Sequence, residues 1–244
     1  MASIKAFFQN FAFFLLDIGN DLRQRIPNFR KNWQIWQQRR AQRAAERQQR
    51  WMNQARRQWE HFYREVFGID VDLSAVAIPA FRKGFKRIVI VIPGLSIGLV
   101  YMTMKRYFRW YWLKEPSFIL DTTNSCNDRE ADWGAYAILV RDTPDIRRNR
   151  QLSAAEAEYL GIQGETLLEH LLHSMMYMYE TGSSLDGERN CTVCVGTKVY
   201  WNSIAPAAPY VHGSNRERGH QISVGITSTA PDVFPRKGVR EVIV

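Results

Sequence analysis

The sequence predicts an α+β protein in which a long basic N-terminal helical arm precedes a compact domain of short, mostly antiparallel strands with two or three helices. Residues 30–66 contain neither glycine nor proline and consist mainly of arginine, glutamine and alanine, which are good helix formers. Residues 86–92 form a β-branched run that ends at Pro93, which is typical of a buried strand. Short alternating runs and capped helical segments are scattered between residues 134 and 244, as in an α+β domain.

The net charge of the 244-residue chain is +9, and almost all of it lies in the arm. Residues 1–65 carry 13 basic and 5 acidic side chains, whereas residues 66–244 carry 20 and 19. The apolar content of 45% is too high for a chain that is disordered throughout, and three cysteines are too few for a disulfide framework. We therefore expect a cytoplasmic protein that is at most peripheral to a membrane. The positive charge indicates what the arm binds and says little about the domain.

The composition divides the chain into four segments. They are an amphipathic aromatic helix over 1–20, an Arg/Gln-rich long helix over 21–68, a linker over 69–84 and an α+β domain over 85–244.

The first helix has an aromatic face, which suits either a membrane surface, through residues 1–18, or docking on the domain or on a second copy. The candidate membrane contacts are Phe7, Phe8, Phe11 and Phe14. The segment is a poor signal peptide, because its unbroken apolar run is only six residues long.

The long helix contains eleven arginines and one lysine between residues 20 and 65. Guanidinium groups bind phosphates bidentately and tryptophans stack on bases, which favours nucleic acid or another polyanion as a partner of residues 21–66. The candidate phosphate contacts are Arg39, Arg40, Arg43, Arg47, Arg50, Arg56 and Arg57, and the candidate aromatic contacts are Trp33, Trp36, Trp51 and Trp59. We expect the arginines between 39 and 50 to cover nearly all sides of the helix. The alternatives are a solvated spacer, helix-mediated self-association, or a membrane tether formed together with residues 1–18.

The domain alternates short strands with capped helices. Strands are predicted at residues 86–92, 110–112, 134–140, 192–200, 221–227 and 239–244. Ser96 is a predicted N-cap, and Ser153 and Glu156 form a predicted capping box. A strongly amphipathic helix is predicted from Thr166 to Tyr179, and Gly182 is the predicted stop signal that follows it.

A set of motifs runs in order along this domain. They are R-I-V-I-V-I-P-G-L-S from Arg87, N-D-R from Asn127, G-A-Y-A-I-L-V-R-D from Gly134, L-S-A-A-E from Leu152, G-E-T-L-L-E-H-L-L from Gly164, E-T-G-S-S-L-D from Glu180 and C-T-V-C-V-G-T from Cys191. In this order they resemble a module that recurs in uncharacterised bacterial hypothetical proteins. The resemblance covers about residues 85–244 and implies a bacterial domain of unknown role, with no catalytic residue or cofactor to transfer. It also implies that Cys194 occupies a recurrent cysteine position, whereas Cys191 is an addition.

The turn at residues 94–98, G-L-S-I-G, matches the nucleophile-elbow motif between a strand and a helix. In a serine hydrolase Ser96 would be the nucleophile. The acid would come from Asp121 or Asp142, and the base from His212 or His220. However, such a fold needs several strands and an oxyanion loop before the elbow, and this chain has the arginine-rich helix there. Because an ordinary N-cap also explains Ser96, we expect a non-enzymatic binding or structural protein and keep the hydrolase as an alternative.

Cys191 and Cys194 have the spacing of a zinc knuckle, but no second pair completes a four-ligand site. Further ligands would have to come from Cys126, His212, His220, His170 or His173. We therefore expect no cofactor, with zinc as the alternative. The E-H-L-L-H sequence at 169–173 differs in order and spacing from the H-E-x-x-H motif of metalloproteases. We expect His173 to pair with Glu169 on a partly exposed helix face.

Overall fold

The computed structural model describes the chain with gaps. The backbone is described at residues 2–107, 113–114, 125–132, 134–141, 152–186, 190–201, 205–216, 219–227 and 237–244. Side chains are described at residues 31–107, 125–132, 134–141, 152–186, 190–200, 207–213, 224–225 and 238–244. The chain divides into two compact units, Met1–Trp51 and Met52–Val244.

One α-helix, α1, runs from Ala2 to Phe62 without a break. This confirms the long basic N-terminal helix but not a separate helix over residues 1–20. Pro27 removes one backbone N–H donor and Gly19 weakens the helix locally, yet both lie inside it. No helix in the described part of the chain combines the length and the apolar character that a bilayer crossing requires.

The second unit contains the end of α1, a π-helical turn at Tyr63–Phe67, three further helices and nine strands among its described residues. The helices are α2 (Ile97–Tyr107), α3 (Ala154–Tyr159) and α4 (Leu167–Thr181). The strands are β1 (Arg87–Val91), β2 (Leu113–Lys114), β3 (Ser125–Asn127), β4 (Tyr136–Val140), β5 (Cys191–Val193), β6 (Thr197–Trp201), β7 (Ala205–Arg216), β8 (Gly219–Thr227) and β9 (Lys237–Val239).

The strands form two sheets, in which most pairings are antiparallel. Strands β1 and β4 make a two-stranded antiparallel sheet, with Arg87 opposite Val140. The larger sheet has the order β2-β8-β7-β5-β9, with β6 paired to β7 and β3 paired to β6. Only β2 with β8 and β5 with β9 pair in parallel among the described strands. The predicted α+β class is confirmed.

The last turns of α1 cover the edge of β1 that β4 does not occupy. Trp59 Nε1 donates to the Ile88 carbonyl at 2.8 Å, and Tyr63 Oη donates to the Ile90 carbonyl at 2.6 Å. Trp59 and Tyr63 are four residues apart on a helix, and Ile88 and Ile90 are two apart on a strand, so both periodicities match along this edge. The contact attaches the end of α1 to the sheet and satisfies two buried carbonyls.

Three predictions for the strands need correction. The strand predicted at 239–244 overlaps β9 only at Val239, and Glu241 and Ile243 form only isolated bridges. The 12-residue strand β7 has no counterpart in the sequence prediction, because Pro206 and Pro209 argue against a central strand. The segment predicted as one strand at 192–200 contains two, β5 and β6, separated by a turn at Val195–Gly196. The predicted strand at 110–112 lies outside the described residues.

Candidate functional site

Five arginines of α1 lie on one side of the helix. They are Arg39, Arg40, Arg43, Arg47 and Arg50, and all five are exposed. At 100° per residue they fall within an arc of about 100°, so the expectation that they cover nearly all sides is wrong. No carboxylate pairs with them among the described residues, and Glu46 instead accepts a hydrogen bond from Gln42 at 3.0 Å. We call these five residues the arginine face.

Two exposed tryptophans continue the arginine face toward the N-terminus. Trp33 and Trp36 are 49% and 44% exposed, and their rings stack with centroids 5.0 Å apart. The Arg40 guanidinium lies 5.3 Å from the Trp36 ring centroid, within cation–π range. The other side of this stretch carries mainly glutamine and alanine, so it has no broad apolar surface.

The remaining predicted arm contacts differ in their environments. Trp59 is 2% exposed and belongs to the core, and Trp51 is partly buried. Arg56 donates to the Val76 carbonyl through Nε and Nη2, so it is occupied within the unit. Arg57 is exposed. The side chains of Phe7, Phe8, Phe11 and Phe14 lie outside the described residues.

Ser96 caps helix α2 at the edge of a small cavity. Its Oγ accepts a hydrogen bond from the Leu99 amide at 3.1 Å, which is an N-cap contact. The cavity has a volume of about 230 Å³, and Arg129, Tyr136 and Thr166 also line it. None of the described lining residues is a histidine. His212 lies in β7 and is not among the described lining residues. Asp121, Asp142 and the side chain of His220 lie outside the described residues.

Replacing Ser96 with alanine is expected to lower the free energy of unfolding by about 1 kcal/mol, because the Leu99 amide loses its acceptor. Urea denaturation of the full chain measures this loss, and Ser96→Asn, which keeps a cap acceptor, should restore most of it. Covalent labelling of Ser96 by an active-serine probe would contradict a purely capping role.

A second group of polar side chains is buried beside the N-terminus of α4. It consists of Glu165, His170, His173, Asp186 and Arg240, all at most 5% exposed, and we call it the buried histidine cluster. His170 and His173 are three residues apart and therefore share one face of α4. Glu165 precedes the N-cap Thr166. The Glu165 amide donates to the Arg240 carbonyl at 3.2 Å, and its carbonyl accepts from the Gly196 amide at 3.1 Å.

Asp186 follows the end of α4, where Gly182 adopts a left-handed conformation and stops the helix. Strand β7 passes so close to the Asp186 backbone that a Cβ at Gly213 would lie 1.7 Å from the Asp186 carbonyl oxygen. Glycine at 213 is therefore required for this approach. The Asp186 carboxylate then accepts from Thr192 Oγ1 at 2.8 Å and from Arg240 Nη2 at 3.1 Å through Oδ1.

The Glu165 carboxylate lies between the two imidazoles. Its Oε2 is 2.5 Å from His170 Nδ1, and its Oε1 is 2.7 Å from His173 Nδ1. The other nitrogen of His170, Nε2, is 2.6 Å from Asp186 Oδ2. His170 is thus held by a carboxylate at each ring nitrogen. His173 Nε2 is buried and has no hydrogen-bond partner among the described atoms.

These contacts separate the pKa values of the two histidines. Burial lowers the pKa of His170, but the Asp186 and Glu165 carboxylates outweigh it and raise the pKa to about 9. Burial also lowers the pKa of His173. Because His173 contacts only the Glu165 carboxylate, the effect of burial is not overcome, and the pKa of His173 lies below its ordinary value. The imidazoles lower the pKa of Glu165 despite its burial. At neutral pH His170 is therefore cationic, His173 is neutral and Glu165 is ionised.

Glu169 lies next to this cluster but makes different contacts. Its carboxylate accepts from Arg129 Nε and Nη2, both at 2.7 Å, and from Tyr136 Oη at 3.0 Å. The expectation that His173 pairs with Glu169 on a partly exposed face is wrong, because His173 is fully buried and contacts Glu165 instead. The first turns of α4 are covered on most sides, which a helical wheel of the segment alone does not reveal.

The three cysteines are free thiols, and none of them belongs to the group of close potential ligand atoms among the described residues. Cys191 and Cys194 are buried, whereas Cys126 is exposed and lies near Tyr200. Burial raises the pKa of the Cys194 thiol, and nearby carboxylates raise it further. The described group whose donor atoms lie close enough together to hold a metal ion is instead Glu165, His170 and His173, within 4.8 Å of one another.

Sequence reasoning missed Glu165, Asp186 and Arg240. Glu165 lies before the helix cap, so a search for ligands within the helix does not include it. Asp186 lies in the turn after α4, and Arg240 directly follows β9, so both are brought to the cluster by elements other than α4. The one sequence signal for this cluster is the position of Glu165. Its carboxylate lies directly before a capped helix whose first turns carry the two histidines.

No family model, curated protein or solved structure matches this chain.

Proposed function

We propose that this protein binds nucleic acid through the arginine face of α1. The observation that carries the proposal is the exposure of five arginines on one side of the helix without a carboxylate partner among the described residues. Guanidinium groups held along one face fit the line of phosphates of a nucleic acid backbone, because each one binds phosphate oxygens in a bidentate manner. Binding also releases counterions from the nucleic acid, which favours association and makes the affinity depend on salt.

The stacked pair of Trp33 and Trp36 favours nucleic acid over other polyanions. Both rings are about half exposed and lie beside the arginine face, and aromatic side chains next to basic ones are typical of sites that stack on unpaired bases. The glutamine- and alanine-rich side of the same stretch has little apolar area to immerse in a bilayer, so a membrane-lying helix is less well supported at residues 31–50.

The salt dependence of binding tests this proposal. The full chain is titrated into fluorescently labelled duplex DNA and single-stranded RNA, and the dissociation constant is measured at several salt concentrations. Replacing Arg40, Arg43, Arg47 and Arg50 with glutamine should reduce the salt slope on duplex DNA by up to about 3.6, or about 0.9 for each lost phosphate contact.

A matched control removes the same number of positive charges from exposed residues of the second unit, namely Arg82, Lys83, Lys105 and Arg106. This control should leave the slope nearly unchanged. Trp33→Ala and Trp36→Ala should weaken RNA binding with little change in slope. Equal losses in the arginine variant and its control, or binding to anionic vesicles without binding to either nucleic acid, would overturn the proposal.

A further inference from the structure

We propose that Glu165, His170 and His173 form a buried site for one divalent transition-metal ion of the Zn²⁺ class. This inference is independent of nucleic acid binding, because every residue in it belongs to the second unit. Two imidazoles and one carboxylate are a common ligand set for zinc in proteins.

The Glu165 carboxylate provides the geometric basis for the site. Its two oxygens face different nitrogens, Oε2 toward His170 Nδ1 and Oε1 toward His173 Nδ1. A bidentate carboxylate and the two Nδ1 atoms therefore give four donors from three residues. Around a tetrahedral ion with metal–ligand distances of about 2.1 Å, donors of different residues stand about 3.4 Å apart. The two Nδ1 atoms, now 2.5 and 2.7 Å from the Glu165 oxygens, must therefore move away from them by a little under 1 Å.

The surroundings provide an outer hydrogen-bond partner for one of the two imidazoles, that of His170, whereas His173 Nε2 has none among the described atoms. His170 Nε2 lies 2.6 Å from Asp186 Oδ2, so Nε2–H can donate a hydrogen bond to Asp186. Nδ1 then faces the ion and releases its proton to solvent when the ion binds. This carboxylate–histidine–metal arrangement holds the tautomer and the ring orientation. Arg240 adds a positive charge, but it is paired with Asp186 at 3.1 Å, and Glu165 supplies the remaining negative charge.

The burial of the three ligands implies a structural ion. All three are fully buried, so exchange with solvent requires the second unit to open locally. An ion held in this way stabilises the folded chain by mass action, because the unfolded chain does not hold the three ligands together.

Metal binding by the full chain tests this site. Protein prepared with Zn²⁺ should retain about one ion per chain after dialysis, as measured by elemental analysis, and chelation during partial unfolding should lower its melting temperature. Protein refolded with Co²⁺ should show visible d–d bands without the near-ultraviolet thiolate-to-cobalt band. No retained ion, or a thiolate band, would overturn the assignment.

Variants separate this site from a cysteine site. His173→Gln should reduce the amount of bound ion at least tenfold, and the exposed His61→Gln is the matched control that should keep it. Cys191→Ala combined with Cys194→Ala should also retain the ion, and its loss in that variant would contradict the proposal. Because His173→Gln could fail to fold, the cobalt spectrum of the unaltered chain tests the ligand set independently.

Discussion

Replacing Glu169 with alanine is expected to lower the free energy of unfolding by about 3–5 kcal/mol. Glu169 is fully buried, and its carboxylate accepts from two nitrogens of Arg129, from Tyr136 Oη and from the Thr166 amide. Removing it leaves the Arg129 guanidinium, which is nearly buried, without its counter-charge. It also removes half of the capping box at the start of α4. Urea denaturation followed by tryptophan fluorescence measures the loss.

Two further variants identify the cause of this loss. Glu169→Gln keeps a side chain of the same shape without the charge, so it should lose less stability than the alanine variant. Glu158 forms an exposed ion pair with Lys198, and Glu158→Gln should leave the unfolding midpoint nearly unchanged. A small effect of Glu169→Ala, similar to that of Glu158→Gln, would show that Arg129 does not depend on Glu169.

Replacing Trp59 with alanine should cost a similar amount, about 3–5 kcal/mol. The Trp59 side chain is 2% exposed and packs edge-on against Phe62 with ring centroids 5.3 Å apart. Its removal leaves a large cavity between α1 and β1, and the Ile88 carbonyl loses its donor at 2.8 Å. The same denaturation measurement applies.

Trp33→Ala is the matched control for Trp59→Ala, because Trp33 lies on the same helix but is half exposed. It should change stability little, even though we expect it to weaken RNA binding. Trp59→Phe retains an aromatic ring but loses the Nε1 donor, so its loss should lie between those of the other two variants. Equal stability of Trp33→Ala and Trp59→Ala would contradict the burial of Trp59.

Local sequence patterns predicted many of the secondary-structure elements. The β-branched run at β1, the segment that includes β4, the capping box of α3 and the amphipathic pattern of α4 each depend on residues that are close in sequence. Strand β7 was missed, because its two prolines are disfavoured in a central strand. The pairing of the strands was not predicted either. For example, β5 pairs with both β7 and β9, and β9 lies more than 40 residues further along the chain.

The two candidate sites differ in how far the sequence predicts them. The arginines and Trp33 and Trp36 were identified from composition, and the helix then placed them on one face. The buried histidine cluster was not predicted, because its members come from before α4, within α4, after α4 and from the C-terminal region. Each of these residues is unremarkable in its local sequence, and only their convergence produces the site.

Composition and short-range periodicity establish where the positive charge lies, that a long helix carries it, and that a mixed domain follows. The packing of the second unit establishes that Trp59 is a core residue, and it sets which carboxylate faces which histidine. Burial and ion pairing depend on elements far apart in the chain, such as β1 against the end of α1 and Asp186 against β7. Helical periodicity within one segment cannot encode such contacts, because they are formed only when the whole second unit packs.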